Sequence, residues 1–399
     1  TWYDYQHNGS MGRMIATGPP AGEGGYAIVH MGWMYLPDKK LESRAYAYTA
    51  FVSESSTLIS PFEILQNPNT EYAGYVNVDM TPDNRGIVGG HNDQGDGFQP
   101  HIYFDGGPAY ATFPNEERVP DSTAAFGQTT GFEALWPKFF FQVGTDTALH
   151  VLAQISDVSS SQAMIYFRKP GFECSDDYEW DFPPYVVDSI GSMSYEVTGQ
   201  NLGDRVAMAW TASLPYQEPE CDTCSGISVY DGYLVGQMDN DVYYQISNDM
   251  GVTWEPRVNL TQVPLGEAGY KAYADLSSLF DTDGNFHLIW TACPWPADLC
   301  WDDGGFCFTE DIIPDRSRLF HWSENVPYVR TIADHTYLPS DSCGPPWFWN
   351  GTIGKMSVSE CQGRLYAMWG QFNDIPNGVI DDCSQWSYDN QWEGGANAD

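Results

Sequence analysis

The chain has 399 residues, with 54 acidic against 17 basic side chains and a formal net charge of -37 at pH 7. That balance argues against a nucleic-acid phosphate backbone as partner and makes cations the natural counterparts, whether calcium-rich or saline surroundings or a plain solubilising role for the acidic coat. Aromatic residues make up 15%, Gly (39) and Pro (26) are abundant, and Leu-rich stretches of helical period are hard to find, so the length reads as one large β-architecture of short strands.

In chain order one pattern recurs: an inner strand, a turn with Asp, Asn or Gly, an apolar strand often ending in Trp, a loop, then an aromatic strand. The apolar strand has six copies: YAIVHMGW at 26–33, RGIVGGH at 85–91, ALHVLAQ at 148–154, RVAMAW at 205–210, FHLIW at 286–290 and RLYAMW at 364–369. Inner strands precede them at 12–17, 74–79, 137–142, 193–198, 273–278 and 354–359, and aromatic strands follow at 45–51, 101–104, 164–167, 242–247, 318–323 and 384–389. The period of roughly 60 to 80 residues fits a four-stranded blade with long loops. The expected fold is all-β, a six-bladed propeller of four-stranded antiparallel blades in a single domain over 1–399. Its blades fall at approximately 12–70, 71–133, 134–190, 191–262, 270–335 and 350–392, and the N-terminal strand 2–6 closes the ring or pairs with a neighbouring molecule.

The stretch YYQISNDMGVTW at 243–254 places Ser247, Asp249, Gly251, Thr253 and Trp254 in the spacing S-x-D-x-G-x-T-W. Asp249 and Ser247 can accept from the turn's own N–H groups, Gly251 can take positive φ, and Trp254 can cover the hairpin. The pattern resembles the Asp-box (BNR repeat) of sialidase-like β-propellers. That resemblance implies the propeller fold and no activity by itself. Sialidases of this fold use an arginine triad on the substrate carboxylate, a Tyr-Glu nucleophile pair and an Asp acid/base. No such triad maps onto this chain, and Arg118-Val119-Pro120 is similar to the family's R-I-P motif but falls in a loop.

The longest loops, 212–241, 292–317, 333–350 and 370–382, are expected on one rim, where binding usually resides. Cys221, Cys224, Cys293, Cys300, Cys307, Cys343 and Cys383 fall in those loops and are disulfide candidates, with zinc on Cys221 and Cys224 as the alternative. Nine cysteines leave at least one without an intrachain partner. Sequons at Asn8, Asn259 and Asn350, the start at Thr1 and the absence of a long apolar run lead us to expect a mature secreted or cell-surface protein whose export signal has been removed.

Calcium is the one cofactor expected, with Asp93, Asp96, Asp239, Asp241, Asp302 and Asp303 as candidate ligands; nucleotide, haem and flavin motifs are absent. Asp281-Thr282-Asp283-Gly284-Asn285 reads as an Asp-Gly hairpin turn in preference to a calcium loop. Aligning the inner strands puts Arg13, Tyr75, Lys138, Ser194, Ala274 and Lys355 on one rung, with Asn77 and Glu196 on the next. A cationic ring of Arg13, Lys138 and Lys355 could hold a carboxylate, with Tyr75 and Glu196 near for chemistry, or each cation could pair with an acid. Trp295, Trp301, Trp347 and Trp349 are aromatic candidates for protein or sugar contact. The expected role is a non-catalytic extracellular module that binds a glycan or protein or assembles with itself. The alternatives are a sialidase-like glycoside hydrolase and a lectin for acidic glycans.

Overall fold

A computed structural model describes residues 12–18, 27–36, 44–59, 63–65, 72–94, 97–120, 133–156, 162–171, 179–188, 194–213, 229–230, 233–234, 240–263, 269–295, 316–336 and 352–371. Every regular element among them is a strand. The chain divides into two compact units. The first comprises Thr1–Gly191, Glu196–Val206 and Ser247–Trp254, and the second Ser192–Tyr195, Ala207–Ile246 and Glu255–Asp399.

The strands begin with β1 (Ile15–Thr17), β2 (Ile28–Tyr35), β3 (Ala45–Val52), β4 (Thr57–Leu58), β5 (Glu63–Ile64), β6 (Tyr72–Met80), β7 (Gly86–Asp93), β8 (Phe98–Phe104) and β9 (Asn115–Arg118). They continue with β10 (Glu133–Val143), β11 (Thr147–Ser156), β12 (Gln162–Pro170), β13 (Tyr185–Asp188), β14 (Tyr195–Gly199), β15 (Val206–Ser213), β16 (Val229–Tyr230), β17 (Tyr233–Leu234), β18 (Asn240–Ser247) and β19 (Val258–Asn259). The last are β20 (Gly269–Phe280), β21 (Phe286–Trp295), β22 (Arg316–Ser323), β23 (Val326–Thr336), β24 (Ile353–Cys361) and β25 (Arg364–Gln371).

The first unit holds three antiparallel sheets, β1-β2-β3-β4 with β5 also on β3, β6-β7-β8-β9 and β10-β11-β12-β13. The second holds β20-β21-β22-β23, the hairpin β24-β25, and β18 with β19 on its edge; β18 meets β20 only through Asn240 and Ala272. All six apolar segments read from the sequence are strands (β2, β7, β11, β15, β21, β25), because runs such as Ile87-Val88 and Leu149 to Leu152 bury both faces of a central strand. The sixth aromatic segment, 384–389, and the closing strand 2–6 lie outside the described residues.

Short turns set these hairpins. Between β20 and β21, Asp281 N–H donates to Asn285 O, Gly284 N–H donates to Asp281 O, and Gly284 takes φ 82°. Asp281 Oδ1 accepts from Asn285 N at 2.6 Å, so this segment is the expected Asp-Gly turn. Between the sheets of the first unit, Val88 and Tyr103 pack with Tyr46 and Tyr48, while Phe104 and Ile102 pack with Phe139, Phe141 and Val151. Each such fully buried side chain contributes about 1.5–3 kcal/mol.

The inner strands carry a feature that the sequence alignment missed. Three of them slip register by one extra residue: β6 between Gly74 and Asn77, β10 between Leu135 and Lys138, and β24 between Gly354 and Ser357. In β20 the slip, between Ala272 and Leu276, is wider. At the three matching bulges a non-glycine residue sits at positive φ: Tyr75 (58°), Trp136 (52°) and Lys355 (53°). Lys138 pairs with Leu152 as Asn77 pairs with Gly89, so Lys138 shares the level of Asn77, and Trp136 is the counterpart of Tyr75. The expected rung is therefore displaced by two residues in β10. β6 and β24 carry the same bulge with Val76 and Met356 in place of Pro137, so the bulge accommodates the proline, which has no N–H to donate, and is not created by it.

Candidate functional site

In the first unit the bulges of β6 and β10 present their side chains at the strand ends. Tyr75 and Trp136 are half-buried, with ring centroids 5.9 Å apart and planes at 67°. Tyr75 also lies 5.1 Å from the ring of His91, which sits 4.9 Å from Phe98, and Phe98 meets Tyr72 edge-on at 5.7 Å. Beneath them, the guanidinium of Arg44 stacks 3.8 Å over Tyr72. Gly74 is required here: a Cβ would stand 2.9 Å from His91 Nε2 and 3.6 Å from Arg44 Cζ.

The bulges are held by side chains. Trp136 N–H donates to His91 Nδ1 at 3.1 Å, which makes Nε2 the protonated nitrogen of a neutral imidazole. Burial, with the Arg44 charge adding to it, lowers the His91 pKa to about 3. Tyr75 N–H donates to Met34 Sδ at 2.7 Å. Asn77, buried, donates through Nδ2 to Tyr75 O at 3.3 Å and to Pro137 O, so one amide ties both bulges. Left-handed backbone at a tyrosine and a tryptophan persists only where such contacts over-determine it.

Of the two readings of the cations, a ring for a ligand carboxylate or pairing with the chain's own acids, Arg13 follows the second. Arg13 Nη2 lies 3.0 Å from Asp79 Oδ1, its Nε donates to Val78 O, and its guanidinium lies 5.7 Å from the Phe140 ring centroid. Asp79 also accepts Phe141 N–H at 2.8 Å; burial raises its pKa, opposed by Arg13 and by the N–H groups of Phe141 and Met80. Lys138 is 3% exposed and so is withdrawn from a ligand, while Asn77 acts as a clamp. Glu196 is half-buried on β14; the ring partners of Tyr75 are His91 and Trp136.

In the second unit, Lys355 N–H donates to Asp275 Oδ2 at 2.7 Å. Burial lowers the Lys355 pKa and the Asp275 charge opposes it. Ser194 is buried just before β14, and Ala274 lies in the wide bulge of β20.

The candidate calcium ligands that are described already have donors. Asp93 Oδ1 accepts Gly97 N–H at 3.2 Å across the β7 to β8 turn. Asp241 accepts from Asn259 Nδ2 at 2.7 Å, Thr261 Oγ1 at 2.5 Å and Val263 N at 3.0 Å, which occupies the lone pairs a cation would need. It also engages the side-chain amide of the Asn259 sequon. No group of three or more His, Cys, Asp or Glu among the described residues could hold a metal ion. Asp96, Asp239, Asp302 and Asp303 lie outside the described residues, as do Trp301, Trp347, Trp349, Cys221, Cys224, Cys300, Cys307, Cys343 and Cys383. Trp295 ends β21 opposite Gly269, and Cys293 Sγ lies 3.6 Å from Ser317 Oγ.

The S-x-D-x-G-x-T-W turn closes as its chemistry dictates. Ser247 Oγ donates to Asp249 Oδ1 at 2.7 Å and accepts Gly251 N–H at 2.8 Å, while Asp249 accepts Thr253 N–H at 2.8 Å and Thr253 Oγ1 at 2.6 Å. Trp254 stacks on Tyr185 at 6.2 Å and meets Tyr166 edge-on at 5.0 Å. Ser247, Met250 and Gly251 are buried while Asp249, Val252 and Thr253 face solvent, so the turn is a structural corner anchored on its inner side.

Trp136, His91, Phe98 and Arg44 were not singled out from the sequence as site residues. The signal that points to them is Trp136-Pro137 inside a strand, since the proline marks a bulge and the bulge re-aims its neighbour.

No protein-family model matches the chain, and no curated protein matches it. Among solved structures it is similar to a Trypanosoma rangeli sialidase in complex with 2,3-difluorosialic acid (12% identity, TM-score 0.45, covering 91% of this chain and 53% of that one). A mutant of the same sialidase displaying trans-sialidase activity gives 13% identity and a TM-score of 0.43, covering 91% and 52%. An endo-arabinase from Bacteroides thetaiotaomicron gives 11% identity and a TM-score of 0.38, covering 75% and 99%. The chain thus spans about half the length of the trypanosomal sialidases.

Proposed function

We propose that the chain is an exported six-bladed propeller that binds carbohydrate at the rim formed by β6, β7, β8 and β10. The observation that supports this reading most directly is the pair Tyr75 and Trp136, held in left-handed backbone at equivalent bulges and left half-buried with their faces nearly perpendicular. Aromatic faces pack against the C–H faces of sugar rings, and a rigid corner of two such faces orients a glycan at low entropic cost. Neutral His91, buried beneath them, fixes the Trp136 bulge through its Nδ1 and so holds the corner rigid. In this reading the overall charge of -37 disfavours polyanionic glycans at this rim.

The test is binding to a panel of immobilised neutral and acidic glycans, with release of free sugar monitored in the same wells. Tyr75→Ala and Trp136→Ala each weaken binding by about tenfold or more, the equivalent of about 1.4 kcal/mol. Tyr110→Ala, at an aromatic 67% exposed elsewhere on the unit, leaves it unchanged. Undiminished binding by both rim variants overturns the assignment. Sugar release that is lost in Glu196→Gln makes the protein a glycoside hydrolase, and binding without release makes it a lectin-like module.

A further inference from the structure

The second unit carries a different cluster where β20, β21, β22 and β23 meet at one end of their sheet. Arg316 and Arg318 are alternate residues of β22 and so project from one face. The guanidinium of Arg318 lies 4.0 Å from the Tyr270 ring centroid, and that of Arg316 lies at 5.9 Å. Both reach Asp334. Arg316 donates through Nε and Nη2 at 3.1 Å each, one to either carboxylate oxygen, and Arg318 donates through Nε alone at 2.8 Å to Oδ2.

The inventory of donors leaves a remainder. Asp334 is held ionised, its pKa lowered first by the Arg316 hydrogen bonds, against burial, and further by Arg318. Two guanidiniums therefore share the Asp334 carboxylate. Arg318 commits only Nε, so Nη1 and Nη2, the edge that accepts a carboxylate in two parallel hydrogen bonds, have no partner among the described residues. The Tyr270 hydroxyl is buried and likewise has none. Stacking on Tyr270 fixes the plane of the guanidinium, so the free edge is pre-oriented.

We propose that Arg318, supported by Arg316 and Tyr270, is a subsite for a ligand carboxylate. Its residues belong to the second unit, and the proposal does not depend on the reading of the Tyr75–Trp136 rim. A carboxylate bound on the Nη edge completes the guanidinium's hydrogen bonds without displacing Asp334, and Arg316 keeps Asp334 in place. A purely structural network would instead tie β22 to β23 and ignore added anions.

The experiment is calorimetric titration of the full chain with glucuronate, inorganic sulfate and glucose, at fixed ionic strength. Glucuronate binds saturably and glucose does not. Arg318→Ala and Arg318→Gln weaken glucuronate by about tenfold or more, and Arg318→Lys, which keeps the charge and loses the fork, weakens it by a similar factor. Tyr75→Ala leaves glucuronate binding unchanged, which separates this subsite from the aromatic rim. Failure of glucuronate to bind the native chain, or equal binding by folded Arg318→Gln, overturns the proposal. So does sulfate binding as tightly as glucuronate and surviving in every Arg318 variant, the mark of an adventitious ion only. Thermal melting of each variant supplies the check on folding, with Arg318→Gln retained if the alanine variant unfolds.

Discussion

Truncating Asn77 to alanine tests whether one buried amide holds the aromatic corner. Its Nδ2 donates to Tyr75 O at 3.3 Å and to Pro137 O, and the side chain is 3% exposed, so water cannot replace those bonds without opening the strands. Two carbonyl oxygens lose a donor in the interior, each at a cost of about 1–3 kcal/mol, and the longer bond belongs at the low end. The expected loss is about 2–4 kcal/mol. Urea denaturation followed by tryptophan fluorescence reads it as a lower midpoint with unchanged slope. Asn77→Asp sets a carboxylate against the same two carbonyl oxygens and is more destabilising than alanine. Both variants weaken glycan binding at the rim, because the bulges that aim Tyr75 and Trp136 are released. An Asn77→Ala midpoint within about 0.5 kcal/mol of the native protein, or an Asp variant as stable as the native chain, refutes the clamp.

Other expectations follow from neighbouring contacts. Burial raises the Asp79 pKa above its unfolded value near about 4, so its contribution to stability is present in full below that value and is lost as pH rises through the folded pKa. Asp79→Asn, neutral throughout, therefore gains stability relative to the native chain between pH 4 and pH 7; thermal melts at the two pH values check the sign, and a relative loss contradicts it. Gly251→Ala places a Cβ at φ 81° against the Tyr166 hydroxyl and costs about 2–4 kcal/mol, read as a lower melting temperature with loss of amide protection in the turn. An unchanged melt would mean that the turn tolerates the shift.

The strand order was legible because its signal is local. Ile87-Val88, Leu149 to Leu152 and Leu288 to Trp290 are runs that only a doubly covered strand can bury, and Asp281 to Asn285 and Ser247 to Trp254 carry their turn chemistry within a few residues. The site was legible only in part. Tyr75 stood out and belongs to the aromatic corner, whereas Lys138 was aligned two residues out of place and proves buried. For Arg13 the sequence left open a ligand carboxylate or an acid of the chain, and only the fold names the acid, Asp79, sixty-six residues away.

The sequence by itself thus determined most of the strand segments, where several of them turn and that the chain is acidic, since these follow from periodicity, φ preference and charge count. Tertiary structure decided which side chains a ligand can meet. An inner-strand bulge shifts every later residue to the other side of its register, and whether a cation is free depends on an acid brought beside it by a different sheet. Neither is encoded at any one position: the bulge at Trp136 is fixed by His91 and Asn77, and the open edge of Arg318 exists because Asp334 takes only its Nε.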